Sequence, residues 1–94
     1  MIILIGKSDC NKCHELGELL IKHGVKFTRI NLDELDDNLI DITADILSKV
    51  SFEYGHAEEL PIIAIQQDNT VRVACGRLRS EKLLIDSGII RGKL

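Results

Sequence analysis

The chain is predicted to be an α/β domain, a four-stranded mixed sheet with helices on both faces, in the order β-α-β-α-β-β-α. Three observations predict it. The chain opens on a short apolar run, Ile2 to Ile5, closed by Gly6, and passes straight into a segment of helical period. A second strand-like run follows that helix, so the first two strands are joined through a helix and should be parallel with a right-handed crossover. Near the other end, two strand-like runs flank the turn-like Gln67-Asp68-Asn69, which predicts an antiparallel hairpin.

Met1 to Gly6 is the first strand; a continuous apolar run of this length is expected to be buried on both faces. Ser8 and Asp9 can each cap a helix. Cys10 to His23 is that helix, with Cys13, Leu16, Gly17 and Leu20 on one face. Gly24 suits its C-terminus, where Lys22 and His23 sit beside the negative end of the dipole. Val25 to Leu32 alternates, with a slip near Arg29, and predicts the second strand. The acidic stretch Asp33 to Asn38 is expected to open the second helix, because carboxylates favour a helix N-terminus. Leu35, Leu39, Ile42, Ile46 and Val50 form its apolar stripe, and Glu53 to Glu59 is a loop. Leu60 to Gln66 is the third strand and carries the chain's one proline, Pro61. Thr70 to Cys75 is the fourth. Gly76 ends it, and Ser80 is predicted to cap a last helix running to about Ser87, before Gly88.

The 94 residues suit a single domain, 1–94. With 45% apolar and 29% charged residues the mixture is globular, and 3% aromatics leave the core to Ile, Leu and Val. A net charge of -3 without a Lys/Arg block argues against nucleic-acid binding. No apolar run approaches the ~20 residues that span a bilayer. No basic segment precedes the apolar start, so no secretory signal is expected, and a cytoplasmic monomer is. In a reducing cytosol, cysteines are expected to serve redox or metal chemistry rather than a static framework.

Residues 10 to 14 read CNKCH. This spacing suits covalent haem attachment, zinc binding or a dithiol that cycles with its disulfide. Haem needs a second axial ligand, for which the chain offers only His23, His56 and Met1. Zinc needs about four ligands. Cys10, Cys13, Cys75 and a histidine would have to converge, and no second Cys-x-x-Cys or paired-histidine motif supports that.

The element order, with Cys-x-x-Cys directly after the first strand and a lone proline at the third, resembles the thioredoxin superfamily and within it the glutaredoxins. The resemblance covers nearly the whole chain. In GKSDCNKC, Lys7 stands three residues before the first cysteine, as in the glutaredoxin motif. Leu60-Pro61 matches the family's Val-Pro, whose proline is cis and faces the cysteines, and Gly76 matches one glycine of its Gly-Gly turn. The resemblance implies a thioredoxin-like fold and dithiol–disulfide exchange, with an iron–sulfur or other metal carrier built on the same cysteines as the alternative.

In that reading Cys10 is the nucleophile. A cysteine at a helix start faces unpaired N–H groups and the positive dipole end, which favour the reactive thiolate. Cys13, one turn on and facing Leu16 and Leu20, is the buried resolving thiol. Lys7, Lys12 and His14 are supporting residues, with Asp9 opposing the lysines. Leu60, Pro61, Gly76 and Arg77 are expected to bind substrate. No metal and no bound cofactor are expected. The partners are a disulfide-bearing protein and a reductase, either of the thioredoxin-reductase type or glutathione. The chain departs from the family in having Asn11-Lys12 where Pro-Tyr is common. It also has Arg77, Leu78 and Arg79 where an acidic pair helps bind glutathione's γ-glutamyl end. Repulsion between these arginines and the ammonium of glutathione is expected to make glutathione a weak reductant. Cys75 is a small strand hydrophobe at the turn flanking the cleft, where a redox or metal role is the alternative.

Overall fold

The structure, a computed structural model, describes residues 1–92. Its elements are β1 (Ile2–Gly6), α1 (Asn11–Lys22), β2 (Thr28–Asn31), α2 (Ile40–Tyr54), β3 (Ile62–Gln67), β4 (Thr70–Cys75) and α3 (Arg77–Asp86). The sheet order is β2-β1-β3-β4. β1 and β2 are parallel, with Ile3 opposite Thr28 and Gly6 opposite Asn31. β3 runs antiparallel to both β1 and β4. This is the predicted thioredoxin-like α/β architecture.

Strand alternation divides the core into two layers. Ile3, Ile5, Ile62 and Ala64 face α2 and pack with Ile46 and Val50. Leu4, Ile63 and Ile65 face α1 and α3 and pack with Leu16, Leu20 and Leu84. β1 and the first part of β3 are buried on both faces, which is why they read as unbroken apolar runs. Leu4 is fully buried, and truncating such a side chain to alanine costs about 2–5 kcal/mol.

Several boundaries differ from expectation. Val25 to Phe27 is not strand; β2 begins at Thr28, where β1 first offers ladder partners, while Val25 and Phe27 pack as loop residues on the α1 side. The acidic stretch does not open α2. It forms two 3-10 turns, Leu32–Glu34 and Asp37–Leu39, and Asp36 uses its carboxylate to accept the Asn38 N–H at 2.9 Å. Short acidic side chains bond local backbone and so compete with helix. At its other end α2 takes in Glu53 and Tyr54, expected as loop, and stops at Gly55, whose φ of 82° is left-handed. β3 starts at Ile62 rather than Leu60, after the proline that lacks a ladder donor. α3 starts at Arg77, three residues before the expected cap. Ser80 lies inside the helix, fully buried, with its hydroxyl 3.2 Å from the Pro61 carbonyl and 3.4 Å from that of Ala74. It satisfies a buried hydroxyl and ties α3 to the sheet. No helix among the described residues is long and apolar enough to cross a membrane.

Candidate active site

β1 ends in Gly6, and the loop Lys7 to Asp9 leads to Cys10, which is itself the cap of α1 in place of Ser8 or Asp9. Its backbone is extended, and its Sγ accepts the Cys13 N–H at 3.2 Å, the bond a serine or aspartate cap would make. The Cys10 N–H donates to the Lys7 carbonyl at 3.2 Å, and the Cys10 carbonyl accepts the first helical bond from His14 at 3.1 Å. Cys10 and Cys13 are joined as a disulfide, with Cα atoms 5.2 Å apart. Cys10 is half-buried; Cys13 is fully buried against Gly6.

The loop ahead of Cys10 is held from β2 and the turn that follows it. The Ser8 N–H donates to both Asp33 carboxylate oxygens, at 3.1 and 3.3 Å, and the Ser8 hydroxyl to Glu34 at 3.2 Å. Arg29 donates to the Lys7 carbonyl at 3.3 Å and to Asn31 at 2.8 Å. The bonds from Ser8 hold the Asp33 carboxyl below its usual range. Partial burial lowers the Arg29 pKa, opposed by the nearby Asp33 charge. His14 turns toward the Ser8 carbonyl, 2.7 Å from its Nε2. Asp33, expected at the start of the second helix, belongs to this loop instead, and no motif in the sequence marks Arg29, Ser8 or Gly6 as site residues. Residues 25 apart in the chain give no local signal of their pairing.

Beside the cysteines runs a cleft of about 500 Å³ lined by Lys12, Leu60, Cys75, Gly76 and the first residues of α3. The Leu60–Pro61 peptide is cis, the geometry the resemblance implied. Ile62 pairs with Ile5, which brings the fully buried Pro61 to the level of Gly6. The Gly76 N–H donates to the Pro61 carbonyl at 2.8 Å and less closely to that of Glu59, at 3.2 Å. Cys75 is fully buried in β4 at the cleft floor. Lys7 and Lys12 are exposed.

The two arginines of this cleft are each paired with a carboxylate. Arg77 pairs with Glu15 of α1 at 3.1 Å, and its Nε lies 3.4 Å from Glu81 without the geometry of a hydrogen bond. Arg79 pairs with Glu59 at 3.2 Å and lies over the Tyr54 ring, 5.4 Å from its centroid. Burial, then the neighbouring Cys75 and Glu53, raise the Tyr54 pKa, against the pull of Arg79. A separate groove of about 290 Å³ between α2 and the sheet, lined by residues such as Ile42 and Val71, holds none of the cysteines. Among the described residues, no three His, Cys, Asp or Glu side chains gather into a group that could hold a metal.

No family model matches the chain, and no curated protein matches it. A solved structure of a glutaredoxin from Archaeoglobus fulgidus is similar. It is 26% identical, with a TM-score of 0.59 over 97% of this chain and 86% of that one. That likeness and the Cys10–Cys13 pair at disulfide distance suit a Cys-x-x-Cys redox role.

Proposed function

We propose that this chain, a glutaredoxin-like protein of the thioredoxin superfamily, is a dithiol–disulfide oxidoreductase that reduces protein or small-molecule disulfides through Cys10 and Cys13. The observation that carries the proposal is the asymmetry of the pair. Cys10 caps α1, half-buried, with its sulfur on a backbone N–H, whereas Cys13 has no exposed surface. A sulfur at a helix N-terminus is stabilised as the thiolate, the species that attacks in exchange.

In the reaction the Cys10 thiolate attacks one sulfur of the substrate disulfide. The Cys10–substrate bond forms, the substrate S–S bond breaks, and one substrate thiolate leaves. Cys13, as its proton passes to a leaving thiolate, then attacks Cys10 Sγ. The mixed disulfide breaks, the second substrate thiol is released, and the Cys10–Cys13 disulfide forms. Two electrons pass from the dithiol to the substrate. The backbone at Leu60, ahead of the cis bond to Pro61, and the floor at Gly76 receive the substrate segment.

A reductase of the thioredoxin-reductase type, or another dithiol, restores the pair in this proposal, and the protein acts as a monomer in the cytosol. Glutathione couples weakly in this proposal, because Glu59, a carboxylate beside Gly76, is already engaged by Arg79 and because the small tripeptide makes little use of the exposed Leu78. The test is activity on a small mixed disulfide and on a protein disulfide. Cys10→Ser should abolish both. Cys13→Ser should stop the dithiol reaction and accumulate mixed disulfides at Cys10. Equal alkylation rates of the two thiols at neutral pH, with no reductase turnover, would sink the assignment.

A further inference from the structure

Every polar group of Ser8 meets a different titratable side chain. Its N–H donates to the Asp33 carboxylate, its hydroxyl donates to Glu34, and its carbonyl faces His14 Nε2 at 2.7 Å. The residue before it is held as well: the Lys7 carbonyl accepts from the Cys10 N–H and from Arg29. The loop between β1 and α1 is therefore bonded on one side to the segment after β2 and on the other to α1. It cannot pivot without breaking several of these bonds, and Cys10 is the next residue in the chain.

We infer that Asp33 and His14, both acting through Ser8, are positioning residues that keep the reduced Cys10 sulfur at the cap of α1. The inference rests on the proposed dithiol chemistry. In the oxidised pair the covalent bond to Cys13 helps hold the Cys10 sulfur. In the reduced pair that bond is gone, and the direction of the thiolate depends on the backbone that carries it. Asp33 holds the N–H side of Ser8. His14 holds the C=O side, with the proton on Nε2. Neither side chain is hydrogen-bonded to either cysteine sulfur.

Positioning and direct charge predict opposite signs for Asp33. Acting through space, a carboxylate disfavours a nearby thiolate, so its removal would lower the Cys10 pKa. Acting through Ser8, it keeps the sulfur on the helix N–H groups, so its removal raises that pKa. Lys7 and Asp9 on the loop, Arg29 on β2, Glu34 beside Asp33, and Lys12 on α1 contribute to the field in every variant alike.

The experiment is the pH dependence of Cys10 alkylation in the fully reduced full-length protein, with disulfide reductase turnover measured alongside. Asp33→Ala is expected to raise the Cys10 pKa and slow alkylation at neutral pH about threefold to tenfold, the scale of one ordinary hydrogen bond, because the loop keeps its other tethers. Asp33→Asn keeps an oxygen acceptor for the Ser8 N–H and is expected to restore most of the rate. His14→Ala is expected to act in the same direction, and His14→Gln, which keeps an N–H donor without charge, to restore it. A Cys10 pKa unchanged or lowered in both alanine variants overturns the inference. If Asp33→Ala fails to fold, the His14 pair decides, since His14 is exposed on α1. Wild-type protein that alkylates at a low Cys10 pKa yet reduces no disulfide would instead defeat the proposed function, and the pKa series would still decide the positioning role.

Discussion

Gly6→Ala should destabilise this protein through the resolving cysteine. Gly6 closes β1 and is buried. A Cβ at this position would lie 2.7 Å from both Cβ and Sγ of Cys13, and 3.1 Å from Nη2 of Arg29. Ordinary contact begins near 3.4 Å, so the methyl needs roughly 0.7 Å of relief at Cys13, which is the difference between those two distances. Arg29 can yield, because its guanidinium is the far end of a flexible chain. Cys13 cannot yield as readily: it is fully buried on α1, one turn before Leu16, and its Cβ as well as its sulfur is in the way. The relief must come from moving the start of α1 away from the sheet. Forcing a methylene into a packed core typically costs about 1–3 kcal/mol. In a domain of this size each 1 kcal/mol lowers Tm by roughly 4–8 °C. Gly6→Ala is therefore expected to lower Tm by about 4–24 °C in calorimetry of the reduced protein, and to slow formation of the Cys10–Cys13 disulfide. A reduced variant melting at the wild-type temperature, with unchanged disulfide formation, would refute the packing argument.

Three further outcomes follow from the same geometry. Gly76 has φ 85° and ψ 154°, a backbone region open essentially to glycine, and the Glu59 carboxylate fills the space of a side chain there; Gly76→Ala should cost about 1–3 kcal/mol in urea unfolding and lower turnover, and wild-type stability would contradict it. Arg79→Ala removes an exposed ion pair worth at most about 1 kcal/mol; stability should change little, but the freed Glu59 should raise glutathione-driven turnover about twofold to fivefold, and no gain would mean that Glu59 does not meet the ammonium of glutathione. Asp33 is held below its ordinary 3.8 by the Ser8 hydrogen bonds, so its contribution is fully present above the unfolded value and lost as pH falls through the lower folded value; the gap in urea midpoint between wild type and Asp33→Asn should narrow from about pH 6 to about pH 2, and a constant gap would exclude this linkage.

The parts of the fold legible in the sequence were those whose signal is local. β1 and the hairpin of β3 and β4 are short apolar runs bounded by Gly6 and by the two-residue turn Asp68–Asn69, where Asp68 takes a φ of 55°. The buried face of α1, Cys13, Leu16, Gly17 and Leu20, is the face its period predicts. The errors arose where one residue type serves two purposes. Ser80 looks like a helix cap, and its hydroxyl is instead satisfied by two buried carbonyls. Asp33 and its acidic neighbours look like the start of a helix, yet Asp33 bonds Ser8 across the fold. In the site, Cys10 and Cys13 could be read from their spacing and Pro61 from its place in the order. The side chains that hold the loop ahead of Cys10, and those that pair with the arginines, could not. Apart from His14, six residues from Ser8, their partners are 20 to 62 residues away, as with Arg79–Glu59 and Arg77–Glu15, and only the fold brings them together.

Those pairings change what the charge of the cleft can do. Read along the chain, Arg77 and Arg79 are two cations at a substrate-facing turn, and repulsion of an ammonium follows. In three dimensions Arg77 spans from α3 to Glu15 on α1, and Arg79 spans from α3 to Glu59 on the loop ahead of Pro61. Each arginine is faced by a carboxylate, so repulsion largely cancels at short range. The effect that remains is competition. An incoming ammonium must displace Arg79 from Glu59, whereas an incoming carboxylate must displace Glu59 from Arg79. Both exchanges replace one exposed ion pair with another, and such pairs differ by at most about 1 kcal/mol. The cleft therefore selects weakly by charge. In the proposed exchange, selectivity would rest on the features that do not exchange: the cis Leu60–Pro61 backbone, the glycine at 76, and the exposed Leu78 on the cleft wall. Under that proposal an extended segment with an apolar residue near its disulfide would meet all three, and a small anionic tripeptide would make less use of the last.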